Sequence, residues 1–173
     1  MRKLLPLKDV KELKPFDCGD QDLNEFLYDN AVLCEKEFLS RTYVLEDEEN
    51  TIAYFSLLAD KISKSLIPKP VWESLITRIP EEKHFNSYPS VKIGRLAVHK
   101  SYKGQNIGTS IVSLISSMVL ANTEYVAFRF LTVDAYKTAK SFYERNDFIP
   151  LVKEERADRN TIPMYMDLKE FLS

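Results

Sequence analysis

The sequence predicts a mixed α/β fold in which helices flank a central β-sheet. In the C-terminal half, apolar runs alternate in the order strand, helix, strand, helix, strand. This order implies adjacent parallel strands joined by right-handed crossovers. In the N-terminal half, β-branched and aromatic runs flank the acidic turn 46–50, which is typical of a β-hairpin and makes the sheet mixed. The length of 173 residues fits one domain, residues 1–173.

The N-terminal elements begin with a short edge strand at 2–7 and a helix at 21–38, for which Asp20 is placed as the N-cap. Between 61 and 89, four prolines surround the helical run 71–79. This pattern predicts a loop with a short embedded helix, and such segments often rim a site. The apolar stripe of the first helix consists of Leu23, Phe26, Leu27, Ala31, Cys34 and Phe38.

The C-terminal elements follow from the lengths and periods of the apolar runs. Neither internal repeats nor a linker interrupt them. We expect buried strands at 91–99 and 125–133, helices at 106–121 and 135–146, and two closing strands at 147–152 and 162–168.

The composition is that of an ordinary soluble globular protein, with 45% hydrophobic and 29% charged residues. With a net charge of −2, the chain as a whole lacks the excess of positive charge that is typical of nucleic-acid-binding proteins. No apolar run is long enough to span a membrane, and the first residues lack a secretory signal, so we expect a cytoplasmic protein. Cys18 and Cys34 are too few for a disulfide framework and lack zinc-ligand spacing, so no metal is expected.

The charges are unevenly distributed along the chain. No Asp or Glu occurs among the 41 residues from 83 to 123, whereas five basic residues do. This distribution predicts a positive local field and favours an anionic ligand. The alternative is a chance gap in acids on a partly buried element.

The turn "KGQNIG" at 103–108 precedes a helix that carries no charge for four turns. Unpaired backbone N–H groups and the positive end of the helix dipole make such a turn an anion site. Gly104 lets the backbone approach a ligand closely, and Gly108 leaves space for a phosphate. The spacing disfavours a P-loop, and the dinucleotide, H-E-x-x-H and G-x-S-x-G motifs are absent, so the phosphate ligand stays open from these residues alone.

Three stretches, in order along the chain, resemble the GNAT acetyltransferases. "RLAVHKSYKGQNIG" resembles their fourth strand and pyrophosphate loop, Arg/Gln-x-x-Gly-x-Gly/Ala, with Lys103 first, Asn106 at the Gly position and Gly108 last. "LTVDAYKTAKSFYERNDF" resembles the fifth strand and the next helix, with Asp147 replacing a Gly. "FDCGDQDLNEFL" resembles the start of a toxin-like subgroup, and together the stretches cover about two thirds of the chain. An alternative alignment of the loop motif begins at Gln105. It does not keep the family's spacing between the strand and the loop, so the alignment that begins at Lys103 is preferred.

The resemblance implies a mostly antiparallel sheet of six to seven strands whose parallel fourth and fifth strands splay apart to hold acetyl-CoA. It implies that pantetheine bonds the fourth strand's backbone and that loop amides hold the pyrophosphate. Ala139 would leave room for the thiol end, and Phe142 would pack against it. The other implied coenzyme-binding residues are Leu96, Ala97 and Val98 in the strand and Lys103, Gly104, Gln105, Asn106, Ile107, Gly108 and Thr109 in the loop.

Tyr143 matches the family's tyrosine that protonates, or donates a hydrogen bond to, the leaving thiolate. A phenol with a pKa near 10 is a weaker acid than a thiol with a pKa of about 8.5, so full transfer of its proton to the thiolate is uphill. Donation of a hydrogen bond is sufficient to stabilise the leaving thiolate. No general base is identified, since His84 and His99 are expected to be loop and strand-end residues. Arg95 would either contact substrate or pair with a carboxylate.

The implied activity is direct, acetyl-CoA-dependent transfer of acetyl to a primary amine of a small molecule, peptide or protein. Two alternatives stay open. The toxin-like start points to the amino group of aminoacyl-tRNA, although acids outnumber bases here. A non-catalytic relative that binds coenzyme is the other, because Asn106 and Asp147 stand at usual Gly positions. The charge-free helix after the turn favours a homodimer.

Overall fold

The computed structural model describes residues 1–152 and 159–172. The strands are β1 (Lys3–Pro6), β2 (Arg41–Glu46), β3 (Thr51–Ser63), β4 (Ser87–Val98), β5 (Phe130–Tyr136), β6 (Ile149–Pro150) and β7 (Thr161–Asp167). They form a seven-stranded sheet in the order β1-β2-β3-β4-β5-β7-β6. The sheet is mostly antiparallel, β4 and β5 are parallel neighbours, and helices flank it, so the predicted fold class is confirmed.

The helices are α1 (Gln21–Glu25), α2 (Ala31–Lys36), α3 (Lys69–Ile76), α4 (Ile107–Ala121) and α5 (Lys140–Glu144). Short 3₁₀ turns precede several of the strands and helices. Among the described residues, no helix combines the length and the apolar character that crossing a bilayer requires.

The chain forms two compact units. The first consists of Met1–Leu58 and Ile93–Leu114, and the second consists of Ala59–Lys92 and Ile115–Ser173. We call them the first and the second unit. That residues 1–173 act as one N-acetyltransferase domain stays a prediction.

The first unit contains the predicted N-terminal edge strand and hairpin. β1 pairs with β2, and β2 with β3, both antiparallel, with Leu5 opposite Val44 and Tyr43 opposite Phe55. The rings of Tyr43 and Phe55 stack with centroids 5.1 Å apart, which adds to the ladder. The core of this unit consists of Leu7, Phe16, Cys18, Leu27, Ala31, Val44, Tyr54 and Ala97.

The first predicted helix is interrupted. α1 begins after Asp20, whose Oδ1 accepts a hydrogen bond from the N–H of Leu23 at 3.1 Å, so the predicted N-cap is confirmed. A π-helical turn, Phe26–Asn30, separates α1 from α2. α2 ends at Lys36, and Phe38 then has a φ of +57°. The prediction that Phe38 joins the apolar stripe is wrong: its side chain is 83% exposed, because the helix has ended before it.

In the second unit, β5 pairs antiparallel with β7, and β7 with β6. The first half of β4 adjoins β5, where the N–H of Arg129 donates to the carbonyl oxygen of Pro89 at 3.0 Å. α3 is the helix expected in the proline-rich segment, and its Trp72 stacks on Tyr88 at 5.5 Å. Buried residues of this core are Ile62, Trp72, Leu75, Tyr88, Phe130, Leu151 and Tyr165.

The strand predicted at 125–133 begins later, at Phe130. The chain first makes a turn, in which the N–H groups of Tyr125 and Val126 both donate to the carbonyl oxygen of Asn122. Tyr125 is therefore 84% exposed instead of buried. Local backbone bonds override the β-propensity of this run.

The helix predicted at 135–146 is shortened at both ends to α5. Ala135 and Tyr136 belong instead to β5, where they lie opposite Ile162 and Thr161 of β7. Pairing across the sheet thus decides a boundary that helical periodicity places too early.

Candidate functional site

The loop between β4 and α4, in the first unit, has a left-handed backbone at two positions. After β4, the 3₁₀ turn Lys100–Tyr102 leads to Gly104, with a φ of +79°, and then to Asn106, with a φ of +57°. Glycine adopts this region freely, and asparagine adopts it more readily than most other residues. Asn106 therefore keeps a glycine-like backbone at the position where the motif has Gly.

Backbone donors of this loop are unused. In residues 1–152 and 159–172, the N–H groups from Asn106 to Thr109 donate to no backbone carbonyl oxygen. The first backbone bond of α4 runs from the N–H of Ser110 to the carbonyl oxygen of Asn106 at 3.0 Å. The space beside Gly104 is open, since an added Cβ would meet no atom within 4 Å. Consecutive free donors at the positive end of a helix fit a diphosphate.

Two side chains of the loop anchor it within the first unit. The hydroxyl of Tyr102 donates to Oδ2 of Asp47 at 2.7 Å, and Nζ of Lys103 donates to the carbonyl oxygen of Cys18 at 2.7 Å. The Tyr102 hydrogen bond, together with two backbone N–H groups, lowers the pKa of Asp47 to about 2. Because the Lys103 ammonium is bound to a carbonyl oxygen, this side chain holds the shape of the loop.

Carboxylates offset part of the positive charge predicted around the loop. Nζ of Lys100 lies 2.7 Å from Asp17, and this hydrogen bond holds the pKa of Asp17 well below its usual range. Nη2 of Arg95 lies 3.7 Å from Asp22, and its guanidinium lies over the ring of Phe26. Of the two roles predicted for Arg95, the pairing with a carboxylate is observed. The acid-free run of sequence is not an acid-free surface, because Asp17 and Asp22 fold against it.

Both histidines make local contacts. Nδ1 of His99 accepts a hydrogen bond from the N–H of Ser101 at 3.1 Å, and its ring lies edge-on to Phe16. Nε2 of His84 lies 2.9 Å from the carbonyl oxygen of Ile79. These positions agree with their prediction as strand-end and loop residues.

The predicted pantetheine-binding stretch is the end of β4 in the first unit. Ala97 is buried in the core of that unit, at 4% exposure. Leu96 and Val98 are half-buried, and strand alternation places their side chains on the opposite face. Hydrogen bonding of this backbone to a pantetheine chain stays a prediction.

Tyr143 lies on α5, in the second unit, and is 6% exposed. The rings of Phe142 and Phe148 contact it edge-on, with centroids 5.0 and 5.2 Å away. No hydrogen bond of its hydroxyl is found within the described part of the chain. Burial raises the pKa of Tyr143 well above its ordinary value. The phenol is therefore a neutral donor at physiological pH.

The end of α5 fixes the backbone around Tyr143. The N–H of Phe148 donates to the carbonyl oxygen of Tyr143 at 3.1 Å, and the N–H of Asp147 donates to that of Glu144 at 3.2 Å. Asp147 has a φ of +65°, so this pattern is the left-handed helix cap that glycine usually provides. Ala139 precedes α5 and is half-buried, as a residue beside a ligand would be.

Polar groups on the second unit's sheet are a feature that the sequence patterns do not predict. The hydroxyl of Thr132 donates to Oδ2 of Asp60 at 2.7 Å, and Nζ of Lys92 lies 2.6 Å from Oδ2 of Asp134. The signal in the sequence that could have indicated these groups is the alternation of polar with apolar residues along neighbouring strands. Over the described ranges, no cluster of three or more His, Cys, Asp or Glu side chains could hold a metal ion.

Comparison with known protein families identifies the family of this chain. The family model described as "Acetyltransferase (GNAT) domain" matches residues 78–169, which is over half of the chain and includes the loop and Tyr143. The chain belongs to the GNAT acetyltransferase family. The predicted membership in this family is thereby confirmed, and the chain is an N-acetyltransferase by family.

Solved structures similar to this GNAT chain include bacterial toxins. One is AtaT complexed with acetyl-methionyl-tRNAfMet, at 26% identity over 99% of this chain and 98% of that chain, with a TM-score of 0.79. A tyrosine-to-phenylalanine mutant of KacT is 25% identical over 99% and 97% of the two chains, with a TM-score of 0.78. A mutant AtaT bound to the C-terminus of the antitoxin AtaR and to acetyl-CoA is 25% identical over 98% and 94%, with a TM-score of 0.76.

Proposed function

We propose that this GNAT protein uses acetyl-CoA to acetylate the α-amino group of an aminoacyl-tRNA. The observation that carries the proposal is the similarity over nearly the full length to AtaT, whose structure holds acetyl-methionyl-tRNAfMet. That RNA is what remains after an acetyl group has been transferred to the amine of a charged tRNA. A related AtaT complex holds acetyl-CoA, which supports the same acetyl donor here.

The loop after β4 is the proposed diphosphate site. Its free N–H groups from Asn106 to Thr109 would bind the diphosphate, and the backbone of Leu96, Ala97 and Val98 would bond the pantetheine amides. Left-handed Asn106 keeps the loop shape, which argues against the non-catalytic alternative raised by this departure from Gly. Acetyl-CoA supplies the activated thioester.

Tyr143 is the proposed proton or hydrogen-bond donor to the departing sulfur, with Ala139 and Phe142 beside the thiol end. The ordinary pKa of tyrosine exceeds that of a thiol by about 1.5 units, or about 2 kcal/mol, and burial widens this gap. Full transfer of the phenol proton to a thiolate is therefore uphill. Donation of a hydrogen bond stabilises the developing negative charge without that cost.

An α-amino acceptor fits a site for which no general base is identified. An α-amino group has a pKa of about 8, whereas a lysine side chain has a pKa of about 10.4. A substantial fraction of the α-amine is therefore neutral and nucleophilic near neutral pH, and water can take its remaining proton. A lysine acceptor would need a strong base, so an α-amine is the better match.

A small molecule or peptide with a primary amine is the second candidate acceptor. The net charge of −2 favours it, because a polyanion gains most of its affinity from unpaired basic side chains. Two basic groups near the loop, Lys100 and Arg95, are already paired with carboxylates.

The experiment that separates the two acceptors uses purified protein with radiolabelled acetyl-CoA. One reaction contains methionyl-tRNA, a second contains methionine methyl ester, and a third contains a peptide with a free N-terminus. We expect label in acid-precipitable RNA, released as acetyl-methionine by mild alkali, with kcat/KM for the tRNA far above that for the ester. Equal kcat/KM for the ester and the tRNA, or label only in the peptide, would establish the second candidate.

A further inference from the structure

A pocket of about 470 Å³ lies in the second unit where β3 ends and β4 begins. The N–H of Lys64 donates to the carbonyl oxygen of Asn86 at 2.9 Å and joins the two chain segments at this point. The lining consists of Lys61, Ser63, Lys64, Ser65, Asn86 and Ser87. None of the motifs discussed above includes these residues.

Every lining side chain of the pocket can donate a hydrogen bond, and none is acidic. Lys61 and Lys64 are exposed, and neither lies within 4.0 Å of a carboxylate of residues 1–152 or 159–172. By contrast, nearby Lys69 is paired with Glu73 on α3. A pocket with two ammonium groups that pair with no carboxylate in the described part of the chain, set among hydroxyl and amide donors, matches a phosphate.

An exposed aromatic ring adjoins the pocket in the chain. Phe85 directly precedes the lining residue Asn86 and is 60% exposed, and Leu66 follows the lining residue Ser65 and is 76% exposed. Large apolar side chains are normally withdrawn from water, so two exposed ones that directly adjoin lining residues in the chain suggest an amphiphilic ligand.

The backbone of Phe85 is held in place by its neighbour Tyr88. The N–H of Phe85 donates to the hydroxyl of Tyr88 at 3.0 Å, and that hydroxyl donates to the carbonyl oxygen of Lys83 at 3.1 Å. The two rings contact with centroids 6.3 Å apart. An exposed ring on an anchored backbone is suited to stack on a planar group, because the backbone loses little conformational entropy on binding.

We propose that this pocket binds a backbone phosphate of the unpaired 3′ end of the acceptor RNA, with an adjacent base stacked on Phe85. The inference rests on the proposed function and adds the location of an RNA contact. Unpaired RNA combines phosphates with bases that stack on aromatic side chains, whereas the bases of a duplex are hidden from such a ring. A local site of this kind also explains how a chain with a net charge of −2 can bind RNA.

The first test measures binding of a short 5′-fluorescent RNA that ends in ACCA, by anisotropy over a salt series. The double variant Lys61→Gln/Lys64→Gln should bind at least about tenfold more weakly at low salt. The slope of log Kd against log salt should become shallower by about 1.4, since each lost phosphate contact in single-stranded RNA removes about 0.7. Lys169→Gln, an exposed lysine of the same unit, is the matched control and should behave as wild type.

The second test addresses the stacking. Phe85→Ala should weaken binding of the same RNA about fivefold or more without changing the salt slope, because it removes no charge. Tyr125→Ala removes another exposed ring of the second unit and should have no effect. Unchanged unfolding temperatures for all four variants would exclude misfolding as the cause.

Kinetics distinguish failure of this inference from failure of the proposed function. If wild type acetylates methionyl-tRNA and the double lysine variant does so with the same KM, the pocket assignment is overturned and the function stands. If wild type acetylates only small amines, the RNA-binding measurement still decides, and absent binding of the ACCA oligonucleotide overturns the inference. The inference would also be overturned, in favour of a protein ligand, if a glutamate-rich peptide bound as tightly as the ACCA oligonucleotide and lost affinity in the double lysine variant.

Discussion

Tyr143 shows how its surroundings define the chemistry of one side chain. Nine tyrosines occur in the chain, and the motif singles out this one. Its burial between Phe142 and Phe148, with no hydrogen bond in the described ranges, raises its pKa and leaves its proton in place. The proposed role is therefore that of a neutral hydrogen-bond donor.

Replacement of Tyr143 by Phe should lower kcat by at least about tenfold, since it removes the donor to the sulfur while keeping the ring. The Kd for acetyl-CoA, measured by calorimetry, should stay within about twofold of the wild-type value. In wild type, activity should not decline between pH 8 and 10, because the raised pKa keeps the phenol protonated throughout that interval.

Tyr125→Phe is the matched control for this substitution, because Tyr125 is 84% exposed in the same unit. Wild-type turnover by Tyr143→Phe would exclude the proposed role of this hydroxyl.

The contact between Tyr102 and Asp47 gives a second prediction, one about pH. Because its folded-state pKa of about 2 is lowered, Asp47 stabilises the fold above its unfolded pKa near 3.9, and this contribution is lost as the pH falls toward 2. In Tyr102→Phe, the carboxyl should titrate closer to 3.9, and acid unfolding should begin at a higher pH. Carbon NMR of the Asp47 carboxyl measures the first effect, and circular dichroism measures the second. An Asp47 that still titrates near 2 in the variant would show that the backbone N–H groups alone cause the shift.

The loop between β4 and α4 depends on backbone shape more than on side-chain identity. Asn106 stands at a Gly position of the motif, yet it has the same sign of φ as Gly104. The free donors that follow belong to the backbone, so many sequences could present them. What the loop requires is a residue that tolerates the left-handed region at position 106.

Asn106→Val should therefore weaken acetyl-CoA binding and lower the free energy of unfolding by about 1–2 kcal/mol, because a β-branched residue is strained at a φ of +57°. Asn106→Gly should preserve both quantities. Phe38→Val places the same strain at an exposed position with the same φ and should cost stability while leaving coenzyme affinity unchanged. Equal coenzyme affinity in Asn106→Val and wild type would contradict the assignment of this loop. Denaturant titration and calorimetry provide the two measurements.

The molecule as a whole carries a small net charge, and its function depends on local groups. Acidic residues offset basic ones around the loop, at Asp17 with Lys100 and at Asp22 with Arg95. Lys61 and Lys64, which pair with no carboxylate among the described residues, belong to the second unit. The homodimer that the charge-free α4 suggests stays a prediction, which light scattering can test.

Acetyl-CoA should stabilise the folded chain, because a ligand that binds only the native state shifts the unfolding equilibrium. At about 100 times its Kd, the expected gain is about 2.7 kcal/mol, which raises the unfolding temperature by about 5–10 °C. Pantetheine at the same concentration should give a much smaller rise, since it lacks the diphosphate that the loop would hold. Equal shifts for the two ligands would show that the loop contributes no binding energy.

Most elements of the fold were predictable, and the errors have specific causes. Phe38 fits a helical stripe, but the helix ends before it. Tyr125 has strand propensity, but a turn through Asn122 uses the local backbone. The pocket at Lys61 was not predictable, because its lining comes from two segments far apart in the chain.

The sequence alone predicts the fold class, the N-cap at Asp20 and an anion-binding loop from Lys103 to Thr109, because spacing and periodicity encode such local features. The choice of Tyr143 follows from the resemblance of its motif to the GNAT family and stays a prediction. Tertiary packing alone establishes the burial that raises the Tyr143 pKa, the ion pairs that offset the basic run and the pocket at Lys61 and Lys64. These depend on distances between residues remote in sequence, and only the folded chain sets those distances.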